Sequence, residues 1–302
     1  MKKFFNQLFL FSIPGLTYII LAVLLMPTLL SLQNGPSTKR QIDTSFKNAI
    51  KRDYEMLILG NSRTYRGINP DFIKMKCYNF SHDNDSYNQS YYKLDFIIKK
   101  HKKIKYLILG MDYFQFSIKS DTRNYVYADF FAKEYLNDYE NENILKKKIE
   151  YYCGNADPKK LLSLFPKEKK PVLRKNGQLA MFGFSKESDK IERNIKRLDF
   201  QVDYFEKILR LCKNQNIKVI IVTLPTRVNE LKSYNEKQLI EFYSFFNKYI
   251  DNKNTFYLNY CYHEDFKTFD YADATHLNES GANHFSHLLN QDLMHLIYPQ
   301  SN

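Results

Sequence analysis

Met56-Leu57-Ile58-Leu59-Gly60-Asn61-Ser62-Arg63 is the stretch on which the fold turns. Four consecutive apolar residues with no polar alternation read as a strand buried on both faces, the habit of strands in a parallel sheet. Gly60 ends the run, and Ser62 stands on the turn that follows. Outward from it the pattern recurs at Tyr106–Leu109, Val219–Leu224 and Thr255–Leu258, with a shorter run at Cys77–Phe80. Gly110 follows the second of these runs and Pro225 the third. Between the runs, helical spacing of apolar residues predicts helices over Asn88–Lys100, Glu187–Asn216, Glu236–Tyr249 and Glu279–Leu296. Strands alternating with helices imply right-handed βαβ units, hence an α/β fold with a parallel sheet and helices on both faces. Such sheets carry functional residues on loops at the carboxyl ends of their strands, where Ser62, Asp112 and Thr226 fall.

Two regions break the rhythm. Residues 116–187 are rich in Tyr, Lys and Asn and too long for an ordinary connection. They read as a lid or small insertion, with a structurally inert excursion as the alternative. At the N-terminus no charged side chain occurs from Phe4 to Thr38, and Leu8 to Leu32 is strongly apolar. That length suits one transmembrane helix. The absence of a small-residue cleavage site favours an uncleaved anchor over a signal peptide. The expected layout is an anchor over 1–33, a polar linker over 34–51 and one α/β domain over 52–302. Lysines flank the span on both sides, so the positive-inside rule does not orient it.

The 302 residues carry a net charge of +12, a balance that suits an anionic polymer, a membrane surface or nucleic acid. The basic residues are scattered apart from Lys146-Lys147-Lys148 and the run from Lys167 to Lys175. No nucleic-acid-binding motif accompanies them, so nucleic acid is not an expected partner. Cys77, Cys153, Cys212 and Cys261 are widely spaced without a C-x-x-C pair, and no His/Asp cluster has metal-ligand spacing. Free thiols are the expectation, one disulfide outside the cytoplasm stays open, and neither metal nor cofactor is expected.

Late in the chain stands Asp273-Ala274-Thr275-His276. Serine needs a base to take its proton, and the imidazole needs a carboxylate to hold its tautomer. Three residues of separation let Asp273 fold back onto His276 within one turn, so one loop delivers base and orienter together. Ser62, His276 and Asp273 are therefore the candidate nucleophile, base and orienter.

In that order and context the chain resembles the SGNH (GDSL-like) hydrolase superfamily over roughly residues 52 to 296. Gly60-Asn61-Ser62 matches the first block, and Asp273-Ala274-Thr275-His276 with the following Leu277-Asn278-Glu279-Ser280-Gly281-Ala282 matches the last. The resemblance implies a flavodoxin-like three-layer α/β/α fold and the triad just named. The middle blocks depart from the family. The loop Asn79 to Ser86 lacks the family's glycine, which leaves an amide near Asn84 as a candidate oxyanion donor. Gly110-Met111-Asp112 puts a carboxylate where the family has a donating Asn. Asp112 and Arg63 are thus candidate oxyanion or substrate contacts, Arg63 and Arg66 alternatively pair with nearby acids, and His82 is a further candidate substrate contact.

Anchored relatives in that family act beside membrane-bound O-acyltransferases. The resemblance therefore implies acyl transfer or removal, most plausibly O-acetyl, on a cell-envelope polysaccharide outside the cytoplasmic membrane. A tethered lipase or esterase, or a degenerate domain that binds polysaccharide or scaffolds a complex, stays open as an alternative.

Overall fold

The computed structural model describes residues 1–34, 37–100, 103–131, 133–139, 143–154, 170–185, 196–232 and 234–298. Along the chain run α1 (Lys2–Asn34), α2 (Thr38–Lys51), β1 (Met56–Leu59), α3 (Ser62–Gly67), β2 (Cys77–Asn79), α4 (Tyr87–Ile98), β3 (Tyr106–Gly110) and α5 (Asn124–Tyr127). There follow α6 (Lys133–Asn137), α7 (Ile144–Cys153), β4 (Val172–Leu173), β5 (Leu179–Ala180), α8 (Asp199–Asn214) and β6 (Lys218–Thr223). The last elements are α9 (Val228–Leu231), α10 (Glu236–Asn247), β7 (Thr255–Asn259) and α11 (Glu279–Ile297). They divide between two compact units, one of Ile42–Thr122 with Val172–Asn302 and one of Met1–Gln41 with Arg123–Pro171.

The larger unit is built on five parallel strands in the order β2-β1-β3-β6-β7. The chain winds from β1 out to β2, then returns past β1 to β3. That reversal opens a crevice at the carboxyl ends of β1 and β3, where doubly wound sheets place their ligands. This is the strand order of flavodoxin-like folds.

Side chains alternate across the sheet. Met56, Ile58, Ile108, Ile220 and Val222 form one buried cluster with Ala282, Phe285, Leu289 and Leu293 of α11. The intervening Leu57, Leu59, Leu107, Leu109, Val219 and Ile221 are also buried and face the opposite layer, where α4 packs on α8. Each large side chain so buried contributes roughly 2 kcal/mol, which explains why these strands read as unbroken apolar runs.

Gly60 and Gly110 let α3 sit directly on the strand ends. A Cβ on Gly110 would fall 1.8 Å from Thr64 Oγ1, and one on Gly60 would fall 2.4 Å from it. Any side chain at either position would lift the helix that carries Ser62.

Three expectations change. The stretch read as a polar linker, residues 34–51, is helical from Thr38. Ile42, Phe46 and Ala49 recur at helical spacing and are buried, with Phe46 edge-on to Phe80 at 4.7 Å and to Phe96 at 5.2 Å. The helix expected from Glu187 begins at Asp199. Residues 187–195 lie outside the described ones, and Leu198 is extended, its amide bonded to Phe116 O at 2.9 Å. The region 116–187 is not one body either. Its part from 123 to 171 clusters with the N-terminal helix, whereas β4 and β5 pair as an antiparallel hairpin in the sheet unit. Asn79 N–H donates to Asn176 O at 3.0 Å and Gln178 Nε2 to Arg66 O at 2.9 Å, so that hairpin braces β2 and α3. Residues 132, 140–142, 155–169 and 186–187 of the expected insertion lie outside the described residues.

In the smaller unit, Lys2–Met26 of α1 is long and apolar enough to cross a membrane, its most apolar 18-residue window having a mean hydropathy of 2.4. Its side chains are exposed almost throughout, apart from Ala22 and Met26. Tyr127, Phe131 and Tyr135 form a stacked and edge-on aromatic cluster nearby in sequence, and α7 packs against both α1 and α5.

Candidate functional site

The first turn of α3 presents Ser62, the candidate nucleophile. Asn61 is its N-cap, and the Asn61 side-chain oxygen accepts from Arg63 N–H at 3.0 Å. That leaves Ser62 at the first helical position, beyond the carboxyl end of β1. Asn61 Nδ2 in turn donates to Asp112 Oδ2 at 2.5 Å, tying the turn after β1 to the turn after β3 across the crevice.

The loop before α11 brings the base. His276 Nε2 lies 2.8 Å from Ser62 Oγ. Nδ1 lies 2.8 Å from Asp273 Oδ2 and 3.0 Å from Oδ1. An ionised carboxylate only accepts, so Nδ1 carries the proton and the Nε2 lone pair is left for the serine hydroxyl. Asp273 Oδ1 also accepts from the backbone N–H groups of Thr275 at 2.8 Å and His276 at 2.9 Å. Burial raises the Asp273 pKa, but the His276 ring and these two amides outweigh it and hold the carboxyl well below the usual carboxylate range.

This loop is fastened on every side. Arg227, after β6, donates from Nη1 to Asp273 O at 3.0 Å and from Nη2 to Ser185 O at 3.1 Å. Ala272 N–H donates to His276 O at 2.9 Å. Asn278 caps α11 through Gly281 N–H at 2.9 Å, and its Nδ2 donates to Phe269 O at 2.7 Å and Gly183 O at 2.9 Å.

Of the residues singled out from the sequence, Ser62, His276 and Asp273 are brought together, whereas Asp112, Arg63, Asn84 and His82 are not. Asp112 is 2% exposed and turned inward, receiving Asn61 Nδ2 and forming an ion pair with Arg63 Nη1 at 3.0 Å. Arg63 is 3% exposed, with Nη2 donating to Pro225 O at 2.9 Å and Thr226 Oγ1 at 2.5 Å, and Glu230 3.8 Å away. Burial pulls the Arg63 pKa down, but Asp112 and Glu230 lift it above its ordinary value, so the guanidinium stays charged. Both side chains are turned into the interior beneath the first turn of α3. Asn84 is exposed and no hydrogen bond joins it to the triad among the described residues. It holds the left-handed conformation, at φ 57°, a region that Asn tolerates better than most residues. His82 is buried, with Nδ1 2.6 Å from Lys93 Nζ, which also donates to Asp85 Oδ2 at 2.5 Å and Phe80 O at 2.8 Å. It anchors its loop rather than meeting a substrate.

Arg66 is the residue whose place at the site the sequence left undecided. Its Nη1 pairs with Asp83 and lies 3.4 Å from His276 Nε2 and 3.4 Å from Ser62 O. The enclosed Nε–H has no acceptor among the described residues. The signal was its spacing, four residues after Ser62 and hence on the same helical face.

Beside the triad loop, at the carboxyl ends of β6 and β7, a cavity of about 640 Å³ is lined by Thr226, Arg227, Tyr262, His263, Phe266 and Tyr271 among others. All four cysteines are free thiols, and no group of three His, Cys, Asp or Glu side chains is placed to hold a metal ion among the described residues. In comparisons with known proteins, no family model matches the chain and no curated protein matches it.

Proposed function

We propose that the chain is a membrane-anchored serine esterase or acyltransferase of the SGNH type. Its substrates would be O-acyl groups, O-acetyl foremost, on an envelope or extracellular polysaccharide outside the cytoplasm. One observation carries this reading: the continuous relay from Ser62 Oγ through His276 to Asp273, at 2.8 Å for each link, over the crevice of a parallel sheet. Serine, imidazole and carboxylate in that order are what nucleophilic acyl chemistry requires. The apolar α1, without a charged side chain from Phe4 onward, supports the anchored placement. The neighbouring cavity, with aromatic faces beside cationic and hydroxyl groups, suits a sugar ring better than a bare acyl chain.

In this mechanism His276 takes the Ser62 proton as Oγ attacks the acyl carbonyl, and the carbonyl oxygen becomes an oxyanion. The proton passes from Nε2 to the departing alcohol, leaving an acyl-serine. His276 then deprotonates water for hydrolysis, or a sugar hydroxyl for transfer, and Ser62 recovers its proton as it leaves. The Ser62 amide, at the first helical position, is the oxyanion donor that α3 offers. Asp112 supplies none. A missing donor costs about 100- to 1,000-fold in rate, which suits a slow, specialised enzyme. Arg66, beside Nε2, stands where the alcohol oxygen exchanges its proton and would steady the charge that develops there.

The inward-turned Asp112 also favours a second reading, a domain that binds polysaccharide without turning it over. A serine-directed fluorophosphonate applied to membranes carrying the full chain separates the two. Labelling of the wild type that disappears in Ser62→Ala is expected. No labelling of the wild type, or equal labelling of Ser62→Ala, would leave the binding reading in place.

A further inference from the structure

Ten residues in the smaller unit carry a pattern that a soluble surface does not need. Helix α7, Ile144–Cys153, reads ILKKKIEYYC and buries none of its residues fully. Leu145 is 68% exposed, Ile149 53% and Tyr152 38%. Steps of four and three residues put all three on one helical face, within ~60° of arc at ~100° per residue. By the same count Lys146 and Lys148 flank that stripe, one on each side. Asn143 caps the helix, its side-chain oxygen accepting from Lys146 N–H at 2.9 Å, so these directions belong to a formed helix.

Single exposed apolar residues are ordinary. A stripe of three between two lysines, on a helix packed against an apolar 33-residue helix, is not. Ala22 and Met26, the buried residues of α1 among the described side chains, lie at the C-terminal end of Lys2–Met26. The folded part of this unit therefore gathers where the chain would leave the hydrocarbon. The charge pattern also fits one neighbour. Lys146, Lys147 and Lys148 outnumber Glu150 on α7; Lys146 lies 3.8 Å from Glu150, and Lys148 donates to Asp129 at 2.5 Å.

We propose that α7 lies in the headgroup layer of an anionic bilayer, with Leu145, Ile149 and Tyr152 inserted below the phosphates and Lys146 and Lys148 reaching up to them. The region read as a lid from sequence would then hold a second, shallow attachment to the membrane. Long lysine stems place their charge at the interface while covering apolar surface, and an apolar stripe with cationic flanks is the pattern of helices that lie in that plane. The proposal rests on α1 as the membrane span, so the experiment must tell the two apart.

The chain contains no tryptophan, and Ile149→Trp therefore places a sole indole on the stripe. The full-length variant is reconstituted in vesicles of phosphatidylcholine, alone or with about one-third phosphatidylglycerol. Flotation reports α1: protein that fails to float with the vesicles overturns the span itself. In floating protein the indole is expected to emit at shorter wavelength and to be quenched by lipids brominated near the headgroup. Iodide quenching should fall about threefold or more in the anionic vesicles, and Lys146→Gln with Lys148→Gln should erase the difference between the two lipid mixtures. Full iodide access in floating protein overturns the proposal. A shielded indole that brominated lipid does not quench overturns it too, because protein then covers the stripe, and the same holds if shielding appears only at high protein-to-lipid ratio.

Discussion

Asp112 Oδ2 accepts a 2.5 Å hydrogen bond from Asn61 Nδ2, so the carboxylate at the end of β3 holds the cap of the helix that presents Ser62. The same carboxylate forms an ion pair with Arg63 at 3.0 Å, in a region where both side chains are shut off from water. Asp112 thus supports the turn that carries Ser62, with both of its oxygens directed to Asn61 and Arg63.

Removing that support is expected to be severe. Asp112→Ala leaves Glu230, 3.8 Å away, as the remaining carboxylate beside the Arg63 guanidinium among the described residues, and breaking a buried pair from one side costs about 3–5 kcal/mol. Denaturant unfolding of the detergent-solubilised protein should show a loss of that size, with Asp112→Asn markedly milder because its amide can still bond Asn61. An Asp112→Ala protein of wild-type stability would contradict the assignment.

Arg66→Met is expected to reveal its effect through the leaving group. An alkyl acetate, whose alkoxide needs help to depart, should lose about 10- to 100-fold in kcat/KM. A p-nitrophenyl ester leaves without such help, so its loss should stay within about threefold. Equal losses on both esters would mean that Arg66 only maintains structure.

Asp273 ties stability to acid. Its folded pKa lies below the ordinary carboxylate value of about 3.9, so the unfolded chain takes up the proton first as pH falls. The stabilisation it gives is present in full above the unfolded value and is lost as pH drops through the folded one. Unfolding of wild type and Asp273→Asn should therefore differ most near neutrality and converge in strong acid. A gap that widens below about pH 4 would reverse the sign argued here.

Gly110→Ala is expected to push α3 off the sheet, since its Cβ would fall 1.8 Å from Thr64 Oγ1. Overpacking of this kind costs about 1–3 kcal/mol, and fluorophosphonate labelling should fall further than stability. Adding Thr64→Gly clears the space and should restore part of the labelling. If the double variant labels no better than Gly110→Ala, the tight approach is not what fixes Ser62.

Much of this was legible in the sequence because the chemistry was local. The unbroken apolar runs give β1, β3 and β6, since strands buried on both faces have no polar side to show, while β7, half-buried at the sheet edge, shows a shorter run. Asp273 and His276 share one turn, so their pairing needs no tertiary knowledge. α2 was missed because Lys39, Arg40, Asp43, Lys47 and Lys51 dominate the reading, while three apolar residues, Ile42, Phe46 and Ala49, do the packing. The direction in which Asp112 and Arg63 point depends on Asn61, Pro225, Thr226 and Glu230, three of which lie more than 160 residues from Arg63. No local pattern encodes that choice. Arg66 was visible by spacing, but its partner Asp83 comes from another loop.

Ser62 and His276 are separated by 214 positions, and that distance sets a schedule. During synthesis α1 is made before Ser62, and His276 emerges much later. A nascent chain therefore holds Ser62 without its imidazole partner until β6, β7 and the loop before α11 have closed the sheet. If α1 engages the membrane as it emerges, the relay is completed only after its location has been decided, and a chain cut short anywhere before His276 would lack the group proposed to activate Ser62.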